Sequence, residues 1–312
     1  MSSESATKPF KSGIVALVGK PNTGKSSLTN LLVGQKVSIV SDKAQTTRHR
    51  IIGVATTDEY QIVLVDTPGI HKPHTQLGKI LNETAQSSIE GADALVIMVD
   101  ASKKVDKEDE AIATMLKQTH WIDADGKAKP NVILCLNKMD VLRAIDVEDR
   151  YESFTKLFGT ENLMMTSVTK NQNVNKLIEM ILEHFPAGPM LYPEDEITDQ
   201  PVRRLAAELV REKVLRLTRQ EIPHAVATIV DDWEEERNLV RIAMSIIVEK
   251  DGQKAILIGK RGEMLKRIGT EARLEIADIV GKNVFLELFV KVRTDWRQNP
   301  RMLHELEYTE GS

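Results

Sequence analysis

The sequence has no apolar run near the roughly 20 residues that a membrane-spanning helix needs, which argues against an integral membrane protein. Its opening, MSSESATKPFKSG, lacks the apolar stretch of a secretory signal, and residues 1–12 are expected to form a flexible N-terminus. The single cysteine, Cys135, excludes an internal disulfide. It lies in the apolar run Val132–Leu136 and reads as a buried strand residue, and a reducing cytoplasm fits. Excess positive charge is absent as well. A formal charge of −4 speaks against simple coating of nucleic acid, and no DNA partner is expected. Internal repeats and long low-complexity tracts are also missing.

What is present is an ordinary globular composition, 41% hydrophobic and 28% charged, over a length of 312 residues that suffices for two domains. From Gly13 to about Phe185, short apolar runs alternate with helix-period segments. Strands are expected at Gly13–Val18, Ile51–Ala55, Gln61–Val65, Ala94–Val99, Asn131–Leu136 and Leu163–Thr166, with helices between them. That alternation implies an α/β domain over 13–185 with a mainly parallel sheet, which binds ligands at the carboxyl ends of its strands. The stretch Pro186–Pro201 holds four prolines and several acids and reads as a linker over 186–201. Beyond it, 202–312 reads as an α+β domain: a helix (Val202–Gln220), strands at Ala225–Val230 and Val240–Glu249, a helix (Glu263–Val280) and a last strand (Val284–Val292). Charge is uneven there. Lys250–Arg273 carries seven basic residues against three acidic, while Asp231, Asp232, Glu234, Glu235 and Glu236 form an acidic cluster.

Gly19-Lys20-Pro21-Asn22-Thr23-Gly24-Lys25-Ser26 fits GxxxxGK[ST] between a strand and a helix. Its glycines let backbone amides and the helix N-terminus face phosphate oxygens; Lys25 can reach the β- and γ-phosphates, and the Ser26 hydroxyl can join a Mg²⁺ shell. Asp66-Thr67-Pro68-Gly69 follows the next strand. Asp66 is placed to hold Mg²⁺ through a water, and the Gly69 amide can approach the γ-phosphate. Between these motifs, Ser41–Arg50 reads as a polar loop able to fold over the nucleotide, with Thr47, or else Thr46, offering a hydroxyl to Mg²⁺. A solvated basic loop is the other reading of the same residues.

Asn137-Lys138-Met139-Asp140 closes the set. The Asp140 carboxylate can accept from both N1–H and the 2-amino group of guanine. Adenine lacks that amino group and presents an acceptor at N1, so it would leave the charge unpaired. Lys138 can lay its stem on the base, and Asn137 can tie this loop to the phosphate loop. The nucleotide expected is therefore GTP or GDP.

With these three motifs in order, residues from Gly13 to about Phe185 resemble the Ras-like GTPase superfamily, in its translation-factor-related branch. In that frame, Ser167-Val168 takes the place of the superfamily's serine–alanine base loop. Valine stands where alanine is usual, and a backbone amide can still serve guanine O6. Thr47, Asp66 and Gly69 become candidate catalytic residues, joined by Asn22, which resembles an asparagine that holds K⁺ in some relatives. Many GTPases place a water-orienting glutamine after the glycine of DxxG. Here that position is Ile70, so intrinsic hydrolysis is expected to be slow; His71, next along, reads as a solvated loop histidine.

Gly259-Lys260-Arg261-Gly262 fits GxxG, a pattern that about one chance match would satisfy at ordinary glycine content. Its position, after Ala255–Ile258 and before an amphipathic helix, resembles a KH domain, whose GxxG loop clamps a single-stranded nucleic-acid backbone. Lys260, Arg261, Lys266 and Arg267 would supply positive charge. Ile256, Ile258, Leu265 and Ile268 would either line a groove for bases or pack as core. Two strands before the GxxG helices and one after suggest the type II arrangement. Together with KAQTTRHR (Lys43–Arg50), YPEDEITDQP (Tyr192–Pro201) and REK (Arg211–Lys213), the chain resembles the Era family of GTPases over nearly all its length. That resemblance implies binding to the 3′ end of small-subunit ribosomal RNA and work on the small ribosomal subunit during its assembly; nothing in the sequence calls for an obligate protein partner. The competing reading is a peripheral membrane-associated signalling GTPase. It rests on Val202–Gln220, where Arg203, Arg204, Arg211, Lys213, Arg216 and Arg219 accompany an apolar stripe.

Overall fold

The computed structural model describes residues 9–43, 45–218, 222 and 225–308. Positions 1–8 of the expected N-terminus, Ala44 of the polar loop, and Arg219 and Gln220 of the expected helix lie outside that set. The chain forms two compact units. The first takes its described residues from Met1–Val37, Arg50–His71 and Ala85–Asp199, the second from Ser38–His49, Lys72–Thr84 and Gln200–Ser312.

In chain order the first stretch runs β1 (Lys11–Val18), α1 (Lys25–Val33), β2 (Ile51–Thr56), β3 (Tyr60–Asp66), α2 (Gln76–Ser87), β4 (Ala94–Asp100), α3 (Lys107–Gln118), β5 (Val132–Asn137), α4 (Val147–Phe158), β6 (Leu163–Met165) and α5 (Val174–Glu183). The first unit's six-stranded sheet has the order β2-β3-β1-β4-β5-β6, with only the β2–β3 pair antiparallel. Alternation along β1 shows why. Ala16 and Val18 pack with Ile112, Leu116, Phe154 and Phe158 of α3 and α4. Val15 and Leu17 pack with Leu28, Leu177 and Ile181 of α1 and α5. A strand covered on both faces needs a continuous apolar run, and β4 (ALVIMVD) is one. Phe154 and Phe158 lie one helical turn apart and are buried; truncating either to alanine would cost ~3–5 kcal/mol. Cys135 is fully buried beside Thr166, and burial pushes its thiol up to about 12, so it is the inert strand residue expected.

The Pro-rich stretch does not hang free. Gln61 donates to the Tyr192 carbonyl (2.9 Å) and accepts from the Leu191 and Tyr192 amides (2.7 and 2.9 Å). Further on, Val54 N–H donates to Ile197 O (2.9 Å) and the Thr198 hydroxyl to Ile52 O (2.7 Å). These bonds strap 191–198 onto β2 and β3. The first unit therefore extends to Asp199, past the expected boundary at 185, and gives up 38–49 and 72–84.

The second unit holds α6 (Val202–Leu217), β7 (Ala227–Glu235), β8 (Leu239–Val248), α7 (Asp251–Ile258), α8 (Glu263–Val280), β9 (Asn283–Val292) and α9 (Pro300–Glu305). Its sheet has the order β7-β8-β9, antiparallel then parallel. One face, with Ile242, Met244, Ile246, Val284 and Val290, packs against Leu209 and Val214 of α6, Leu257 of α7, and Ile268, Ala272 and Ile276 of α8. On the other, Ala227 and Ile247 pack with Leu77, Ile80 and Leu81 and with Trp296 and Leu303. Most of the acidic cluster extends a strand: β7 runs on through a bulge at Val230/Asp232 to Glu235. Lys291, Lys282 and Arg241 answer Asp231, Glu235 and Glu236 at 3.3, 3.1 and 2.9 Å.

Candidate functional site

At the carboxyl end of β1 the chain turns through Gly19–Ser26 into α1. Lys25 lies inside this loop, its ammonium donating to the carbonyls of Gly19 and Lys20 at 3.0 Å each. Burial lowers its pKa to about 8, against the pull of the Asp66 charge. Thr23 is buried and its hydroxyl donates to Lys20 O (3.0 Å). Asp66 and Thr67, at the end of β3, are both buried, and Thr67 donates to Leu17 O (2.7 Å). Gly69 passes so close to the phosphate loop that a Cβ there would sit 2.6 Å from the Pro21 nitrogen; only glycine permits that approach. Ser26 and Asp66 thus bring a hydroxyl and a carboxylate to the same unit as Lys25, hard oxygen donors of the kind Mg²⁺ takes. Asn22 is exposed, with a positive φ of 65°.

The base loop is fixed by one side chain. Asn137 Nδ2 donates to the Thr23 carbonyl (2.8 Å), while its Oδ1 accepts from the Thr166 hydroxyl (3.2 Å) and the Val168 amide (3.1 Å). Three loops, from the β1–α1 turn, the end of β5 and the end of β6, therefore meet on Asn137. Leaving a buried partner of this kind unsatisfied costs ~1–3 kcal/mol. Lys138 is half-buried and Asp140 exposed. Of the loop whose backbone was expected to serve guanine O6, the Val168 amide donates to Asn137. Ser167 is buried, and its amide bonds Gln172 O (3.2 Å).

Three placements could not be read from local sequence. Lys20 does not turn towards the loop it belongs to: its ammonium donates to Asp106 (2.7 Å) and Asp109 (2.8 Å). Burial works against that charge, but the hydrogen bonds to the two carboxylates outweigh it and raise the pKa above the ordinary lysine value. Lys138 donates to Asp100 (2.8 Å), which burial disfavours as an anion but which Lys138 and Ser102 hold below the usual carboxylate range. Asp106 and Asp109 had one legible signal, a D-x-x-D capping box before the apolar stripe of α3. Their lysine partner lies 86 and 89 residues away.

Thr47 departs most from expectation. Residues 38–49 belong to the second unit, and Thr46, Thr47, Arg48 and His49 are all buried there. Arg48 donates to Val226 O (2.7 Å) and its guanidinium lies 5.7 Å from the Trp296 and Tyr308 ring centres. His49 stacks on Tyr308 at 5.0 Å, and burial lowers its pKa to about 4. Arg211 donates to the carbonyls of Gln45 and Thr46. Residues 46–49 of the expected polar loop are thus buried, because their partners come from α6 and the region around α9. Ile70 is buried in the apolar core, and His71 Nδ1 donates to Gly69 O (3.0 Å), so it is less solvated than expected.

In the second unit, Lys260–Gly262 forms the turn between α7 and α8, with Lys260, Arg261, Lys266 and Arg267 exposed. Gly259 has φ 71° and ψ 178°, a conformation closed to other residues, and a Cβ there would lie 2.8 Å from that of Met264. Beside the turn is a cleft of about 330 Å³ whose walls include Leu265, Lys266, Arg273, Leu286 and Leu288. Leu265 therefore lines the groove, whereas Ile268 is core. Arg273 and the two β9 leucines were missed, the leucines because strand period alone does not say which face is open.

The basic face proposed for α6 is only in part a surface: Arg203 and Arg216 are exposed. Arg211 and Lys213 are buried, paired with Glu208, Glu212 and Glu275, and Arg204 pairs with Glu307 (2.7 Å). No helix among the described residues is long and apolar enough to cross a membrane.

Comparison with known proteins decides the family. The profile of the 50S ribosome-binding GTPase family matches residues 14–138, and that of the KH domain matches residues 221–297. A point variant of Era from Aquifex aeolicus, solved with GDP·AlF4⁻, is 40% identical over 96% of this chain and 100% of its own, with a TM-score of 0.88. The chain belongs to the Era family of GTPases. A second Era structure, 40% identical with a TM-score of 0.87 over 96% of this chain and 99% of its own, holds MgGDPNP and nucleotides 1506–1542 of 16S ribosomal RNA. Era membership accounts for both halves of the fold: a Ras-like GTPase sheet and a type II KH domain.

Proposed function

We propose that this chain binds GTP and GDP at the convergence of Gly19–Ser26, Asp66–Gly69, Asn137–Asp140 and Ser167-Val168. In this reading it hydrolyses GTP slowly, and holds single-stranded RNA at the Gly259–Gly262 turn and its cleft. The observation that carries the reading is Asn137, which joins the phosphate loop and both base loops through Thr23, Thr166 and Val168. Lys25 is the phosphate cation, since Lys20 is committed to carboxylates. Asp140, exposed after β5, is the guanine acceptor. Magnesium, taken by Ser26 and Asp66 and, with a γ-phosphate, by Thr47, supplies charge neutralisation. With Ile70 in the core, no side chain at that position orders the attacking water, which supports slow hydrolysis.

The RNA is the 3′ end of small-subunit ribosomal RNA, and the setting is assembly of the small subunit in the cytoplasm. Support comes from the Era complex with 16S ribosomal RNA and from the exposed Lys260, Arg261, Lys266 and Arg267 beside the cleft. Crosslinking the protein to cellular RNA in each nucleotide state, then sequencing the fragments, tests this. Enrichment of that 3′ end supports it; an even spread across transcripts contradicts it.

A further inference from the structure

Two lysines of the nucleotide loops are held by one short segment outside the nucleotide-binding motifs. β4 ends at Asp100, and α3 begins at Lys107 with Asp106 as its N-cap. At the start of the segment, Asp100 Oδ2 accepts from Lys138 (2.8 Å), and Oδ1 accepts from the amide and hydroxyl of Ser102 (3.1 and 2.6 Å). The neighbouring Ala101 amide donates to Asn137 O (2.8 Å). At its end, Asp106 Oδ2 and Asp109 Oδ2 both accept from Lys20. Each aspartate is itself pinned: Asp106 Oδ1 accepts the Glu108 and Asp109 amides (2.9 and 3.2 Å), and Asp109 Oδ2 accepts the Asp106 amide (3.0 Å). Lys20 and Asp109 are buried, at 7% and 0% exposure, so this pair is screened less by solvent than a surface pair.

The geometry points to Asp100, Asp106 and Asp109 as positioning residues for the nucleotide: the segment Asp100–Asp109 is a bracket that fixes the phosphate loop through Lys20 and the base loop through Lys138. The inference rests on the guanine-nucleotide reading of those loops. Two features support position over charge. Lys20 faces two carboxylates, so its positive charge is already answered before any phosphate arrives. Lys138 has its ammonium tethered while its residue stays partly exposed, which leaves the methylene stem as a flat support for a base. A long side chain held in place before binding loses no rotamer freedom on binding, so a preset loop retains its ligand longer. Because one short segment, from the end of β4 to the start of α3, carries both tethers, loosening either end shortens the residence of the nucleotide.

The test is stopped-flow release of a fluorescent GDP from the full chain with magnesium. Asp109→Asn and Lys20→Met are each expected to speed release about tenfold, and the double variant no further, because both remove one tether. Asp100→Asn is expected to speed release several-fold alone and to add nothing in a Lys138→Met background. Lys20→Arg, which keeps both carboxylates paired, is expected to restore release to near the wild-type rate. If Asp109→Asn does not fold, Asp106→Asn is read instead, since its side chain is 51% exposed; about threefold is expected. Wild-type release rates in the aspartate variants, slower release, or additive doubles would overturn the bracket. Failure of the wild-type chain to take up GDP would instead overturn the nucleotide reading itself.

Discussion

Raising the pH from about 7 to about 8.5 is expected to weaken GDP binding about fourfold, through Lys25 alone. The phosphate loop buries this lysine against two carbonyls and holds its pKa at about 8. A nucleotide brings phosphate charge to the same ammonium, so the bound pKa lies higher. Binding at alkaline pH must then recharge the lysine, taking up a proton. With a free-state pKa near 8, the charged fraction falls from about 0.9 at pH 7 to about 0.24 at pH 8.5, which gives that fourfold ratio. Stopping at pH 8.5 leaves the guanine N1–H, a weaker acid, largely in place. Calorimetry of GDP with magnesium, in buffers of differing ionisation enthalpy, reads both quantities. Proton uptake should grow from near zero towards about 0.8 per site over that interval. Affinity flat with pH and no proton uptake would refute a buried, depressed lysine at the phosphate site.

Other substitutions separate the parts. Asn137→Ala strands the Thr23 carbonyl and the Val168 amide, so the denaturant midpoint should drop by the equivalent of ~2–6 kcal/mol along with nucleotide affinity; an unchanged midpoint would count against the junction. Asp140→Asn should move preference from GTP towards xanthosine triphosphate, whose C2 oxygen suits an amide donor, and retained guanine selectivity would remove Asp140 from the base site. Gly259→Ala strains its φ and meets Met264, and should cut RNA affinity about tenfold in a filter-binding titration while sparing GDP affinity. A normal RNA titration would discredit the clamp.

Much of the first unit was legible because its signals are local. A parallel strand covered on both faces shows as an apolar run, as in ALVIMVD, and a phosphate loop shows as glycines between strand and helix. What stayed hidden depends on partners far along the chain. Nothing near Arg48 announces Trp296 and Tyr308, and nothing in REK tells whether Arg211 and Lys213 meet water or the carboxylates of Glu208, Glu212 and Glu275. Helical period placed Val210 and Val214 on the core side correctly, but it ranked the charged residues between them as surface, and they are buried too. Gln61 is the same lesson on a strand. A lone polar residue in an apolar run turns out to bind three backbone groups of the Pro-rich strap.

The account stands or falls on whether Asp140 and the Lys25 loop grip the two ends of one guanine nucleotide. Parallel titration of the folded full-length chain with fluorescent GDP and ADP, magnesium present, measures that directly. It should show saturable binding of one GDP per chain, with ADP weaker by orders of magnitude. Equal uptake of the two nucleotides, or uptake of neither, would contradict it.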